Sequence, residues 1–348
     1  MNNLNYLRLI VAITLLSFMN SSCSGGSNKN QSSSPENTEE VKQAPAGINS
    51  EAQALLKYLE ESGDYVNSRN YPSLIKASKV YEELGKNIHV IDLRGSESYK
   101  EGHIKGAVKV EFSDLPRYFT EDIKPSEFDK VVLVCYSGQI SSYAASLLQL
   151  MGYSNVYAIR WGMSGWNKDF AYQWNDEISS DYENKLEKTD NQSGFPGDFP
   201  KLNTGKTSGK EIFDTRIKQL FEAGFPDAII KAEKVIANPS EFYIVNLIRK
   251  DKYESGHIPG SIRYKPNGTL GIIPEMQTIP NNKSVVVYCE TGQTSSFAVA
   301  YLRLFGYNAH TLIYGSNAFM HDKMVAEKNT LSWTVFTDDE IENFPYVK

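Results

Sequence analysis

Cysteine is scarce in this sequence: three in 348 residues, at Cys23, Cys135 and Cys289. Three cannot build a disulfide framework, and no two stand at a zinc-ligand spacing, so neither kind of staple is expected. Positive charge is also short. The 36 Lys and Arg are outnumbered by 42 Asp and Glu, for a formal net charge of -6. That balance argues against the broad basic face that nucleic-acid binding needs. Long apolar runs are missing too: residues 9–19 make a run of only 11, where a membrane-spanning helix needs about 20. What remains is an ordinary globular composition, 41% hydrophobic and 22% charged. At roughly 150 residues per domain the chain is long enough for two.

The 9–19 run has the length of a signal-peptide core, preceded by Arg8 and followed by Ser21, Ser22 and Cys23. This segment resembles a bacterial lipoprotein signal, in which the cysteine becomes the lipidated first residue after cleavage. The resemblance implies a signal peptide over residues 1–22, lipidation at Cys23 and export to the cell envelope. The N-terminal lipid anchor would then hold the protein on a membrane, facing the periplasm or the cell surface. Residues 23–50 offer almost nothing to bury. They are expected to form a disordered tether reaching on the order of 30 Å.

The chain then repeats itself. Tyr99, Gly102, His103, Ile104 and Gly106 return as Tyr253, Gly256, His257, Ile258 and Gly260, an offset of 154 (257 minus 103). At the same offset Cys135, Gly138, Gln139, Ser141 and Ser142 become Cys289, Gly292, Gln293, Ser295 and Ser296. Leu148, Leu150, Gly152 and Tyr153 recur as Leu302, Leu304, Gly306 and Tyr307. One constant offset over so many positions indicates a tandem duplication. We expect one domain over residues 51–188 and a second over 211–348, joined by a Gly-, Pro- and polar-rich linker over 189–210.

In the first copy helical spacing covers residues 52–61 and 74–84. Apolar runs of strand length cover 89–93, 108–112, 131–134 and 156–159, and a further helix covers 141–151. The second copy predicts strands over 242–247, 284–288 and 311–314 and a helix over 295–305. Continuous apolar strands alternating with helices give an α/β fold. Each of the two tandem domains is read as a largely parallel sheet flanked by helices.

In such sheets chemistry gathers at the carboxyl ends of the strands, and both repeat cysteines sit there. The 131–134 run leads into Cys135, and Tyr136, Ser137, Gly138, Gln139 and Ile140 connect it to a helix near Ser141. Cys289 is followed in the same way by Glu290, Thr291, Gly292, Gln293, Thr294 and Ser295. Backbone N–H groups in a tight loop at a helix N-terminus make an anion cradle. A thiol held there is expected to act as a nucleophilic thiolate. A buried structural cysteine is the plain alternative for either position alone. Two cysteines at equivalent loops point to function.

The run Asp92-Leu93-Arg94, Tyr99, Gly102-His103-Ile104 and Gly106-Ala107, followed by Cys-x-x-Gly-x-x-Ser, resembles a rhodanese-like sulfurtransferase domain. The likeness extends over residues 72–168 and again over 226–322, where Tyr314 to Phe319 answer the exit segment Trp161 to Trp166. It implies two tandem rhodanese-like domains with Cys135 and Cys289 as sulfur carriers. Each would take sulfane sulfur from a small donor, hold it as a persulfide and pass it to a thiol or other nucleophilic acceptor. The loops 136–141 and 290–295 would bind the substrate, and neither a cofactor nor a metal is implied.

Two departures from the family pattern bear on chemistry. Many thiosulfate-using members carry Arg five residues after the cysteine, where this chain has Ile140 and Thr294. Unless a basic residue from the partner domain fills that role, thiosulfate should be a poor donor and persulfides better ones. Glu290 beside Cys289 would oppose thiolate formation if its carboxylate faced the sulfur. Other residues read as structural. Asp92 and Arg94, replaced by Asn246 and Ile248 in the second copy, are expected to support the fold, as are His103 and His257. Trp161, Trp166, Trp174 and Trp333 read as core, and Asp338-Asp339-Glu340 as a helix start or solvated face. Two other functions stay open. One is a non-catalytic module holding a protein partner or an anion. The other is a cysteine phosphatase or arsenate reductase, whose loop needs Arg where Ser141 and Ser295 stand.

Overall fold

Unbroken apolar runs become buried central strands. The computed structural model describes residues 50–266 and 273–348, so Cys23, the signal segment and the tether before Ser50 lie outside the described residues. In the first half five parallel strands are ordered β1-β5-β4-β2-β3. They are β1 (Leu74–Ile75), β2 (Ile88–Asp92), β3 (Val108–Lys109), β4 (Lys130–Val134) and β5 (Val156–Ile159). The second half repeats the order as β6-β10-β9-β7-β8. Its strands are β6 (Ile229–Ile230), β7 (Phe242–Asn246), β8 (Ile262–Arg263), β9 (Ser284–Tyr288) and β10 (Ala309–Leu312). In the middle strand β4, Val131 pairs with His89 on one side and Val156 on the other. Both faces are covered, so the strand reads as continuously apolar. Val131 and Leu133 enter one core while Val132 and Val134 enter another, the two-residue alternation of a strand.

Residues 74–84 do not form one helix. Leu74 and Ile75 pair with Ala158 and Ile159 as an edge strand, and the helix is confined to Ala77–Glu83. Two residues carry too short a pattern to distinguish strand from helix, and backbone pairing with β5 decides it. A helix with no counterpart in the sequence reading, Gly209–Ala223, begins where Ser208 Oγ accepts the Glu211 N–H at 3.2 Å. It lies against the Glu51–Glu61 helix, with Phe213 and Tyr58 rings 5.4 Å apart.

The Gln139–Leu150 and Gln293–Leu304 helices, each led by a cysteine loop, pack on one another at the centre. Ser146 Oγ donates to the Phe297 carbonyl at 3.0 Å across this seam. The largest buried cluster draws on both halves, including Leu55, Leu147, Phe221, Phe297 and Leu302. Each half keeps a smaller core of its own, around Val132 and Trp166 in the first and Val286 and Met324 in the second. Among the described residues no helix is long and apolar enough to cross a membrane.

The halves also exchange straps. The segment after the first half crosses to the second, where Glu187 makes an antiparallel bridge with His257 and Leu186 lies against Gly256. The segment after the second half returns to the first, where Val347 bridges His103 and Tyr346 lies against Gly102. Phe344 stacks on Tyr81 at 4.1 Å, and its N–H donates to the Trp166 carbonyl at 2.9 Å. His103 and His257 are structural in both copies. Their Nδ1 atoms sit 2.8 and 2.7 Å from the carbonyls of Tyr99 and Tyr253, on whose rings they stack. The four tryptophans are buried.

Candidate active site

β4 and β9 each end in a cysteine that turns at once into a loop and then a 12-residue helix. Gly138 and Gly292, at φ +88° and +74°, take the left-handed turn that this requires. A Cβ on Gly138 would lie 3.0 Å from the Ile159 carbonyl and run into the Gln293 side chain. The resulting curl aims donors at sulfur. Cys135 Sγ accepts the N–H groups of Gly138 at 3.1 Å and Ser141 at 3.4 Å, with Ser141 Oγ at 3.4 Å. Cys289 Sγ accepts the Ser295 N–H at 3.4 Å and donates to Ser295 Oγ at 3.6 Å, with Thr291 Oγ1 at 3.9 Å. Together with the positive end of each helix, these backbone N–H groups make both sulfurs positions for negative charge.

The other loop residues hold the loops in shape and join them to one another. The Tyr136 hydroxyl donates to Ser98 Oγ at 3.0 Å, and Gln139 Nε2 donates to Ser137 Oγ at 3.1 Å. Gln139 Oε1 accepts the Tyr314 N–H of the other half at 2.8 Å. Gln293 Nε2 is buried against Gly138 without a hydrogen-bond partner among the described residues. Ile140 is half-buried. No three His, Cys, Asp or Glu side chains among the described residues gather as metal ligands.

The two sulfurs differ in access. Cys135 is fully buried. Trp174 Nε1 donates to the Ser137 carbonyl at 3.1 Å, and the Trp174 ring packs against Trp161, Phe336 and Tyr314. Cys289 retains 4% exposure and faces a cleft of about 180 Å³. The cleft is lined by Thr294, Glu290 and Arg249 of the second half and by Pro72, Leu74 and Arg160 of the first. Arg249 is already engaged by Asp251 and by the Leu331 carbonyl at 3.0 Å. The Arg160 guanidinium has no ion pair or hydrogen bond among the described residues. Neither arginine was singled out from the sequence. The one available signal was the repeat itself, since Arg160 stands where the second copy has Ile313.

The partners of two charged features settle their roles. The Glu290 carboxylate is bound by the buried Lys252 Nζ and by the Thr334 N–H, so its charge is matched locally. Asp92 and Arg94 form a buried pair at 2.6 Å, and Arg94 Nη2 also donates to the Gly102 carbonyl at 2.6 Å. In the second half Tyr288 replaces the cation. Its hydroxyl accepts from Asn246 Nδ2 at 2.7 Å and from the Ile258 N–H at 3.2 Å. Burial pushes the Tyr288 phenol up to about 12, so it stays neutral.

Residues 76–169 and 201–322 match the rhodanese-like domain family. The thiosulfate sulfurtransferase GlpE of Pseudoalteromonas translucida is 30% identical over 99 residues, covering 28% of this chain and 90% of its own. GlpE of Shewanella oneidensis is 32% identical over 84 residues, 24% of this chain and 79% of its own. YrkF of Bacillus subtilis, whose name describes a sulfur carrier, is 25% identical over 34% of this chain. That match spans 65% of its length, just under two thirds.

Proposed function

The chain belongs to the rhodanese-like family, and within it we propose a sulfurtransferase that works through a persulfide on Cys289. The observation that carries the reading is Cys289 lining a cleft, with its sulfur accepting the Ser295 N–H at a helix end that favours an anion. The Cys289 thiolate attacks the outer sulfur of a sulfane donor. A new S–S bond forms as the donor's own S–S bond breaks, and that electron pair leaves with the donor remnant, sulfite when the donor is thiosulfate. An acceptor thiolate then attacks the outer sulfur of the persulfide, and Cys289 departs as thiolate. The exchange balances without an outside oxidant. Cys135 sits in the same cradle but is enclosed, so it takes up sulfur only slowly. That enclosure favours a second reading for the first half alone, as a rhodanese-like binding module.

Intact-protein mass spectrometry after incubation with thiosulfate or inorganic polysulfide tests the reading. One added sulfur should map to Cys289 and vanish in Cys289→Ala. Failure of both cysteines to gain sulfur from either donor would overturn it. We propose further that the protein is exported and anchored through a lipid on Cys23, a reading supported by the apolar run and cysteine of the N-terminus. Fractionation of cells carrying Cys23→Ala should move the protein off the membrane, and an unchanged distribution rejects the anchor.

A further inference from the structure

We propose that Arg160, carried by the first half, anchors the anionic end of the donor at Cys289, so that one working site is assembled from both halves. The inference rests on the persulfide reading of Cys289 and names the donor class that such a site takes. The family's usual loop cation is absent, because Thr294 stands five residues after Cys289. The cleft has its own arrangement instead. Arg160 directly follows β5, and its backbone N–H is fixed to the Ile75 carbonyl at 2.8 Å. It lines the cleft together with Leu74 of β1 and with Cys289, Glu290 and Thr291 of the cysteine loop.

The charges around the cleft single out Arg160. Glu290 is matched by Lys252, and Arg249 by Asp251. Arg160 alone among the charged residues lining the cleft has no partner among the described residues. The arrangement is one-sided. Ile313, at the equivalent place after β10, lines a cleft with Asp176, Glu177 and Asp181. Ile313 offers an anion nothing to hold, and that cleft, which also carries Lys231 paired with Glu177, does not include Cys135.

A planar guanidinium suits a group with two or three oxygens sharing negative charge, which it can grip through paired N–H donors. The donor class is therefore a small molecule with sulfane sulfur at one end and a sulfonate-like oxyanion at the other, such as thiosulfate or an organic thiosulfonate. Inorganic polysulfide lacks the oxyanion end and gives Arg160 less to hold. This reverses, for Cys289, the expectation that thiosulfate is a poor donor, because the missing cation is supplied from the other half.

The test compares rates of Cys289 loading by thiosulfate and by inorganic polysulfide in full-length wild type, Arg160→Ile and Arg160→Lys. In Arg160→Ile the ratio of the thiosulfate to the polysulfide kcat/KM should fall roughly tenfold or more. Arg160→Lys should recover part of it, since charge returns without the fork. A ratio unchanged in Arg160→Ile, or lowered equally in both variants, overturns the proposal. Equilibrium binding separates this outcome from failure of the persulfide reading. Calorimetry of thiosulfate with Cys289→Ala, with and without Arg160→Ile, should show roughly tenfold weaker binding when the guanidinium is gone. Equal affinities overturn the role of Arg160, whether or not sulfur transfer occurs.

Discussion

The ammonium of Lys252, buried beneath Trp333, binds the carboxylate of Glu290, the residue next to Cys289. An acid adjacent to the sulfur is thereby compensated before it can oppose negative charge there. Lys252→Met should slow sulfur loading of Cys289 by about tenfold, the rate equivalent of about 1.4 kcal/mol. Adding Glu290→Gln should restore most of the loss, because the acid is what does the harm. Stopped-flow loading rates of the single and double variants decide this, and a double variant as slow as Lys252→Met alone would count against it.

Access to the two sulfurs gives a second expectation. Cys135 is fully buried in a loop that Trp174 holds at the Ser137 carbonyl, while Cys289 meets a cleft. Iodoacetamide applied to the native protein should alkylate Cys289 at least roughly tenfold faster than Cys135. Peptide mapping over time reads both rates in one sample. Equal rates would mean that the buried Cys135 loop opens freely.

The two halves solve one buried polar problem in two ways, which can be tested by exchange. Arg94→Ile leaves Asp92 buried without its cation and should lower stability by about 3–5 kcal/mol. Adding Asp92→Asn and Val134→Tyr installs the Asn246–Tyr288 arrangement of the second half. The triple variant should recover most of the loss in urea denaturation. No recovery would mean that the surroundings, not the pair, set the cost.

The returning strap should be measurable through one ring. Phe344 stacks on Tyr81 and meets Trp166 edge-on at 5.2 Å. It is half-buried, so Phe344→Ala should cost about 2 kcal/mol, less than a fully buried phenylalanine. Urea midpoints for this variant and for Leu186→Ala on the reciprocal strap would show whether both crossings matter.

Acid should weaken the fold through two histidines. Burial holds His89 and His310 below the ordinary imidazole value of 6.5, and Arg303 adds to the effect at His310. The unfolded chain therefore binds these protons more readily than the folded one. Their contribution is complete above the unfolded value and is lost as pH falls through it. Denaturation at about pH 8 and about pH 5.5 should show this drop, and His89→Gln with His310→Gln should flatten it. A slope unchanged in the double variant would assign the pH dependence elsewhere.

Much of this was legible in the residues. The constant offset placed Cys135 and Cys289 in equivalent loops, and apolar runs located β2, β4, β7 and β9 to within a residue. Asp92 and Arg94 read correctly as supports of the fold. What escaped is non-local. Leu74 and Ile75 are strand only because β5 lies beside them, and Arg160 acquires its setting from a loop more than a hundred residues away. The straps carry no periodic signal, since their backbones pair at isolated positions such as Val347 with His103.

The exchanged straps also impose an order on the chain's own making. A ribosome releases the first half long before residues 341–347, which that half needs to cover Trp166, His103 and Gly102. At about 5–20 residues per second, the wait between residue 188 and residue 347 is on the order of 8–30 seconds. Through that interval the nascent first half presents an uncovered aromatic edge to water or to whatever chaperone attends it. Closure of the first half is therefore late, because it waits for a segment made after the second half.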